Sequence, residues 1–250
     1  KKNIMKKILI CGGSNGLGSE ITNNFLSNGK CQVIVVSRKK KNLINIKKKI
    51  NSKNLHCYIC DLTNENKTIL LMKNLKKKFR SIDLVVSSVG SSNMKTTGKE
   101  NYNEWLRAFN SNFFSQTNIT ENFVKFFKNK KLKKIILISS IAAYFKGGAP
   151  LSYSLAKKSL NMYVENISKY LAQFNININT ISPGHILQKN NLWEKKINKN
   201  KKKTFKMINN TVGLKRFCKP EDVINVINFL ASEKSNYITG ADFKVDGKTT

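Results

Sequence analysis

Proline, histidine, arginine and acidic side chains are all scarce in this sequence. Three prolines in 250 residues, Pro150, Pro183 and Pro220, leave no proline-rich linker, and no long Gly/Ser-rich stretch takes its place, so no domain boundary is marked. No apolar run approaches the length of a membrane span, and the stretch Ile8–Cys11 behind the basic start at Lys1 is too short for a signal-peptide core. The five cysteines, Cys11, Cys31, Cys57, Cys60 and Cys218, are odd in number and lack disulfide-framework spacing, which excludes a stapled secreted scaffold. A soluble protein of a reducing compartment, the cytoplasm, is therefore expected. Cys57 and Cys60 form a lone C-x-x-C, but positions three apart in an extended segment face opposite ways. No second Cys or His pair completes a ligand set, so no metal is expected.

Acidic side chains number 14 against 46 basic ones, a formal charge of +32. Only Arg38, Arg80, Arg107 and Arg216 are arginines, and asparagine is abundant, which is how a chain looks when its gene favours A- and T-rich codons. A nucleic-acid surface calls for clustered Arg and exposed aromatics, for phosphate forks and base stacking. Neither pattern is present. Attraction for an anionic substrate or an acidic carrier protein is compatible with the charge. What the chain does have is 40% apolar residues and 9% aromatics, enough for a sizeable core and incompatible with disorder throughout. Its length fits one domain, 1–250.

Short apolar runs alternate with longer periodic segments, the pattern of βαβ units winding a parallel sheet with helices on both faces. Seven strands are predicted: Lys7–Cys11, Gln32–Ser37, Leu55–Cys60, Leu84–Ser87, Lys134–Ser139, Ile176–Ile181 and Phe243–Val245. Helical spacing joins Leu17, Ile21, Phe25 and Leu26, and again Ala156, Leu160, Tyr163, Val164, Ile167 and Leu171. The segment 187–215 breaks the alternation with a crowd of lysines; following a strand's carboxyl end, it reads as a mobile lid over a site rather than a solvated loop.

Strand one runs into Cys11-Gly12-Gly13-Ser14-Asn15-Gly16-Leu17-Gly18, and an amphipathic helix follows. Free N–H groups and the dipole at a helix start favour a pyrophosphate, and glycine lets the backbone approach it. After strand two, an acidic residue would bind the adenosine ribose of NAD, whereas a basic one would pair with the 2′-phosphate of NADP. The chain has Ser37-Arg38-Lys39-Lys40-Lys41, which predicts NADP(H) over NAD(H), with Arg38 as the phosphate partner. Tyr153 and Lys157 are spaced i, i+4 on one helical face. A phenol has a pKa of about 10, and a neighbouring ammonium stabilises its anion. Ser140, thirteen residues before Tyr153, stands at the carboxyl edge of strand five, placed to hold a substrate carbonyl.

With these motifs the chain resembles the single-domain short-chain dehydrogenases/reductases, in particular 3-oxoacyl-(acyl carrier protein) reductases, over nearly all its length. The glycine motif matches Gly12, Gly16 and Gly18, the triad Ser140, Tyr153 and Lys157, and the family's helix asparagine Asn112. Asp61 resembles the adenine-binding aspartate, with Leu62 offering backbone contacts, and Pro183-Gly184-His185-Ile186 resembles the segment that holds the nicotinamide carboxamide, with His185 as a wall. Departures are Cys11 for Thr, Ser87-Ser88-Val89-Gly90 for Asn-Asn-Ala-Gly, Gln188 for Thr and Lys248 for Gly. The resemblance implies a doubly wound Rossmann sheet of order 3-2-1-4-5-6-7. It also implies a homotetramer built through the helices at 104–129 and 152–173 and the last strand. The implied chemistry is hydride exchange between a nicotinamide and a carbonyl or secondary alcohol. Ser140 holds the oxygen, Tyr153 passes the proton, Lys157 holds the ribose and lowers the Tyr153 pKa, and Asn112 positions a water. The small-molecule substrate expected first is a 3-oxoacyl thioester, on an acyl carrier protein or coenzyme A; the alternative is a ketone or a nucleotide-linked sugar. No nucleic acid or membrane is expected as a partner. A nucleotide-sensing or polyanion-binding module without turnover would not need the intact Ser140, Tyr153 and Lys157 set.

Overall fold

Runs of Ile, Val and Leu set the frame. The computed structural model describes residues 5–27, 29–144, 148–189 and 191–249, so the basic start at Lys1 lies outside the described residues. The strands are β1 (Lys6–Cys11), β2 (Cys31–Ser37), β3 (Leu55–Ile59), β4 (Leu84–Ser87), β5 (Lys133–Ile138), β6 (Ile176–Pro183) and β7 (Asp242–Val245). All pair in parallel in the predicted order β3-β2-β1-β4-β5-β6-β7. β4, β5 and β6 are buried from end to end, as strands covered on both faces must be.

On one face Leu9, Ile34, Val85 and Ile135 pack against α3 (Glu65–Phe79), α5 (Ser115–Phe127) and α6 (Leu151–Ala172), with Phe123 stacked on Phe127 at 5.3 Å. On the other, Ile8, Ile10, Val35 and Ile136 pack against α1 (Gly16–Ser27) and α9 (Pro220–Ala231). Cys60 belongs to the first layer and Cys57 packs against the second, on opposite faces of the sheet. The chain winds outward from β1 to β3, then crosses back to set β4 on the other side of β1. At that reversal the connections leaving β1 and β4 diverge, opening a crevice outside the carboxyl ends of the strands.

Apart from one-residue shifts at strand ends, three elements differ from the sequence reading. The helix expected over 104–129 is α4 (Tyr102–Phe109) and α5 joined by a π turn, Asn110–Phe114. Hydroxyls loosen it: Ser111 Oγ donates to Arg107 O at 2.7 Å and Ser115 Oγ to Ser111 O at 2.9 Å. The lysine-rich segment is not an open loop but two helices, α7 (Leu192–Lys199) and α8 (Lys201–Thr211), capped by the side chains of Asn191 and Asn200. They close over Ile208, Val212 and Phe217 with Trp193 and Ile197 against them, while the lysines face outward. Lysine favours helix, and the two asparagine caps fix where each helix starts. β6 runs on to Pro183, carrying the sheet into the segment that follows.

Candidate active site

The site begins where β1 ends. The chain leaves Cys11 through the glycines and enters α1 at Gly16, whose N–H donates to Asn15 Oδ1 at 2.9 Å. A Cβ at Gly18 would fall on the Gly12 carbonyl and 2.6 Å from Ser88 Oγ, so no other residue fits this turn. Ser88 is committed to the loop: its N–H donates to Cys11 O at 2.9 Å, and its hydroxyl faces Cys11 O at 3.3 Å and Gly12 O at 3.4 Å. Thr22 Oγ1, donating to Gly13 O and Gly18 O at 2.9 Å, ties the helix back to the loop. The first-turn N–H groups of α1 thereby point into the crevice from a rigid frame.

At one end of the crevice Arg38 is exposed and makes no hydrogen bond or ion pair among the described residues. Asp61 accepts from Thr63 N at 3.1 Å and Thr63 Oγ1 at 2.8 Å, a turn that sets Leu62 into the wall. At the other end Ser140 caps a 3-10 turn, Ile141–Ala143, accepting from Ala142 N at 3.1 Å, and Tyr153 stands half-buried in the first turn of α6. Lys157, 3% exposed, donates from Nζ to Ile138 O at 2.8 Å. Burial pushes its ammonium down to about 7 and pushes the Tyr153 phenol above its ordinary value, against an opposing hydrogen bond with Ser140. The resemblance implies a lysine that lowers the tyrosine; desolvation is the largest influence on both groups here, and Lys157 Nζ is turned to the Ile138 carbonyl.

Asn112, fully buried in the π turn, has its side chain engaged throughout. Nδ2 donates to Ser91 O and Ala108 O at 3.0 Å and to Ser111 Oγ at 3.1 Å, while Oδ1 accepts from Ser91 N at 2.9 Å. A Cβ at Gly90 would stand 2.7 Å from that Oδ1 and 3.3 Å from Lys157 Nζ, so the β4 exit presses directly on both. Pro183 and Gly184 close the last wall, Gly184 donating to Val245 O at 2.9 Å. Every predicted site residue, from Gly12 through Ile186, lines one cavity of about 700 Å³. His185 does not: it backs the wall behind Trp193 at 4.5 Å, and burial and Lys196 lower its pKa.

The sequence reading missed Ser91, Ser92, Asn191 and Trp193, which also line the cavity. Asn191 was findable as a helix cap, accepting from Trp193 N and Glu194 N at 3.0 Å; the serines carry no spacing signal. A larger hollow of about 1120 Å³ opens at the amino ends of the strands, beside Lys6, Phe25 and Lys134, and holds none of the predicted residues.

A switch-point crevice, a glycine-framed helix start and a Ser-Tyr-Lys cluster define a nucleotide-binding oxidoreductase of the short-chain dehydrogenase/reductase class. A family model described as enoyl-(acyl carrier protein) reductase matches residues 12–249, and the chain belongs to that family of short-chain dehydrogenases/reductases, which act on carbonyl and alcohol groups. The chain is 28% identical over 246 residues to a 3-oxoacyl-(acyl carrier protein) reductase of Buchnera aphidicola, covering 97% of this chain and 96% of that one. It is 26% identical to a diacetyl reductase of Staphylococcus epidermidis, over 97% of each chain. Its fold matches L-sorbose reductase from Gluconobacter frateurii, solved with NADPH and L-sorbose, with a TM-score of 0.87 and 22% identity over 98% of this chain and 96% of that one.

Proposed function

We propose that the protein is an NADP(H)-dependent carbonyl reductase whose substrate is a 3-oxoacyl thioester. The observation that carries this reading is the meeting, in one cavity, of Ser140, Tyr153 and Lys157 with the Gly12–Gly18 frame. The residues present fit a dinucleotide: a helix start framed by Gly18 for the pyrophosphate, and an uncommitted Arg38 at the adenosine end for a 2′-phosphate. When bound, NADPH supplies the hydride. Ser140 Oγ holds the substrate oxygen, and Tyr153 Oη, bonded to Ser140, gives that oxygen its proton. Lys157 Nζ holds the ribose and returns positive charge to the phenol. Asn112 clamps Ser91 beside Lys157 through its side chain, and its Oδ1, which accepts only from Ser91 N, keeps a lone pair for the resupply water that the resemblance implies.

The matching family model is described by enoyl reduction, whereas the relatives named above reduce C=O groups. A Ser-Tyr pair delivers a proton to an oxygen, which supports carbonyl over enoyl substrates. A second reading, a small ketone or a sugar, is favoured by the polar lining of the cavity, to which Ser91, Ser92, Gln188 and Asn191 contribute along with Ser140. The helices α7 and α8 serve as the lid, with Leu192 and Trp193 on the cavity and their lysines toward an acidic carrier. Exposed Leu106, Phe114, Leu155 and Met162 on α4–α6 support the tetramer, which light scattering tests; a monomer at working concentration refutes it. NADPH oxidation with acetoacetyl, crotonyl and diacetyl substrates tests the function. Acetoacetyl turnover lost in Tyr153→Phe supports the first reading, diacetyl turnover alone the second, and crotonyl turnover alone refutes both.

A further inference from the structure

One turn beyond Lys157 on the same face of α6 lies Asn161, 7% exposed and outside the cavity lining. Its Nδ2 donates to Tyr144 Oη at 3.1 Å and to Ser182 Oγ at 3.5 Å. Each partner belongs to a different segment that carries the site. Tyr144 closes the turn that Ser140 caps: Tyr144 N donates to Ile141 O at 2.9 Å and Ala143 N to Ser140 O at 3.0 Å. Ser182 directly precedes Pro183 and Gly184, and its hydroxyl donates to Asp242 Oδ1 at 2.8 Å, beside Thr180 Oγ1 at 2.7 Å. The Tyr144 ring is held by two cations, with Lys158 Nζ 4.5 Å and Lys244 Nζ 4.1 Å from its centroid. With two hydrogens on one nitrogen, the amide serves both hydroxyls from this position. Asn161 thus joins the helix of Tyr153 and Lys157, the turn of Ser140 and the end of β6 at one buried point.

We propose that Asn161 is a positioning residue for the reaction, fixing the Ser140 turn against α6 through Tyr144 and against β6 through Ser182. The kinetic part rests on the function proposed above; the structural part does not. A misplacement of about 1 Å at a reacting group costs up to about a hundredfold in rate, so a loosened turn is visible in kcat. Two variants probe the same bond from its two ends. Tyr144→Phe keeps the ring and its cation contacts and removes the hydroxyl that accepts from Asn161 and meets Asp242, and Asn161→Leu removes the donor to both Tyr144 and Ser182.

The test pairs hydrogen exchange of the cofactor-free protein with steady-state kinetics. In both variants the amides of Ala142 and Ala143 exchange about tenfold faster while those of Leu160 and Val164 keep their wild-type rates. kcat falls about tenfold, KM for NADPH stays within about twofold, and the loss in the double variant is smaller than the two single losses combined, since the bond between Asn161 and Tyr144 is common to both. Unchanged exchange at Ala142 overturns the proposal, as does faster exchange spread evenly over α6, which marks a merely structural role. Rate losses that add in the double variant overturn it too. If the wild-type protein reduces no carbonyl tested, the function proposed above fails, and the exchange at Ala142 still decides whether Asn161 holds the turn.

Discussion

Lys157 offers a test of the site that needs neither cofactor nor substrate. Its ammonium is 3% exposed, has one carbonyl partner at 2.8 Å, and is pushed from 10.5 to about 7 by burial. In the unfolded chain the same amine keeps its ordinary value. Between about pH 7 and pH 10.5 the unfolded state therefore binds a proton that the folded state does not. Below that window both states are charged and the fold carries the full cost of a buried cation, at most about 5 kcal/mol for a shift of this size. Rising pH removes the advantage of the unfolded state, so the stability of the folded chain climbs by about 1.4 kcal/mol per pH unit across the window from this group alone. Lys157→Met deletes the titration and the bond to Ile138 O, the latter worth about 1 kcal/mol. Urea unfolding of cofactor-free wild type and variant at pH 7.5, 8.5 and 9.5, at one protein concentration, isolates the difference, because other titrating groups cancel. The variant is more stable at pH 7.5, and its margin shrinks by about 2–3 kcal/mol by pH 9.5. Parallel stability curves refute the reasoning, for they mean that Lys157 is hydrated or paired in the folded chain.

Four further outcomes are expected. Tyr153→Phe removes the proton donor and lowers kcat by about a hundredfold or more, while NADPH affinity by fluorescence titration stays within about twofold; full activity in this variant sinks the assignment. Gly18→Ala drives a methyl onto the Gly12 carbonyl and weakens NADPH binding by at least about tenfold in the same titration, through the displaced phosphate frame. Arg38→Glu replaces the uncommitted cation with a like charge for a 2′-phosphate, raising the NADPH Kd by about tenfold or more and leaving the NADH Kd within about twofold; equal effects on both cofactors remove the NADP reading. With a net charge of +32 and three ion pairs among the described residues, the fold repels itself, so raising NaCl from about 0.02 to 0.3 M raises the urea midpoint, and a lowered midpoint contradicts this.

The half of the site proposed to bind nucleotide was legible because its chemistry is written in the backbone. Gly18 stands where a side chain has no room, and the crevice opens wherever the winding of the sheet reverses, so glycine spacing after an apolar run is enough to locate the phosphate frame. Tyr153 and Lys157 were legible for a similar reason, since one helix fixes their separation. The π turn at Asn110–Phe114 was not: Ser111 and Ser115 look like any exposed helical serines until their hydroxyls turn back on the carbonyls of the preceding turn. Nor was the fold of residues 187–215, where the lysine count hid the spacing of Trp193, Ile197 and Ile208 and the caps at Asn191 and Asn200.

That asymmetry explains why the reaction class is better determined than the substrate. The groups proposed to meet the nucleotide and the reacting oxygen hang from β1, β4, β5 and α6, whose positions the sheet dictates. The remaining lining groups, Ser91, Ser92, Gln188 and Trp193, come from connections whose course depends on capping and on contacts distant in sequence. A chain can therefore drift far in composition, to a net charge of +32, and keep the first set intact, because lysines spread over exposed helical faces leave the buried frame untouched. Lys157 is the informative exception: buried at 3% exposure with a single carbonyl partner, it sits where a lysine is disfavoured by desolvation, and that cost marks it as the candidate for chemistry that the proposed function makes it.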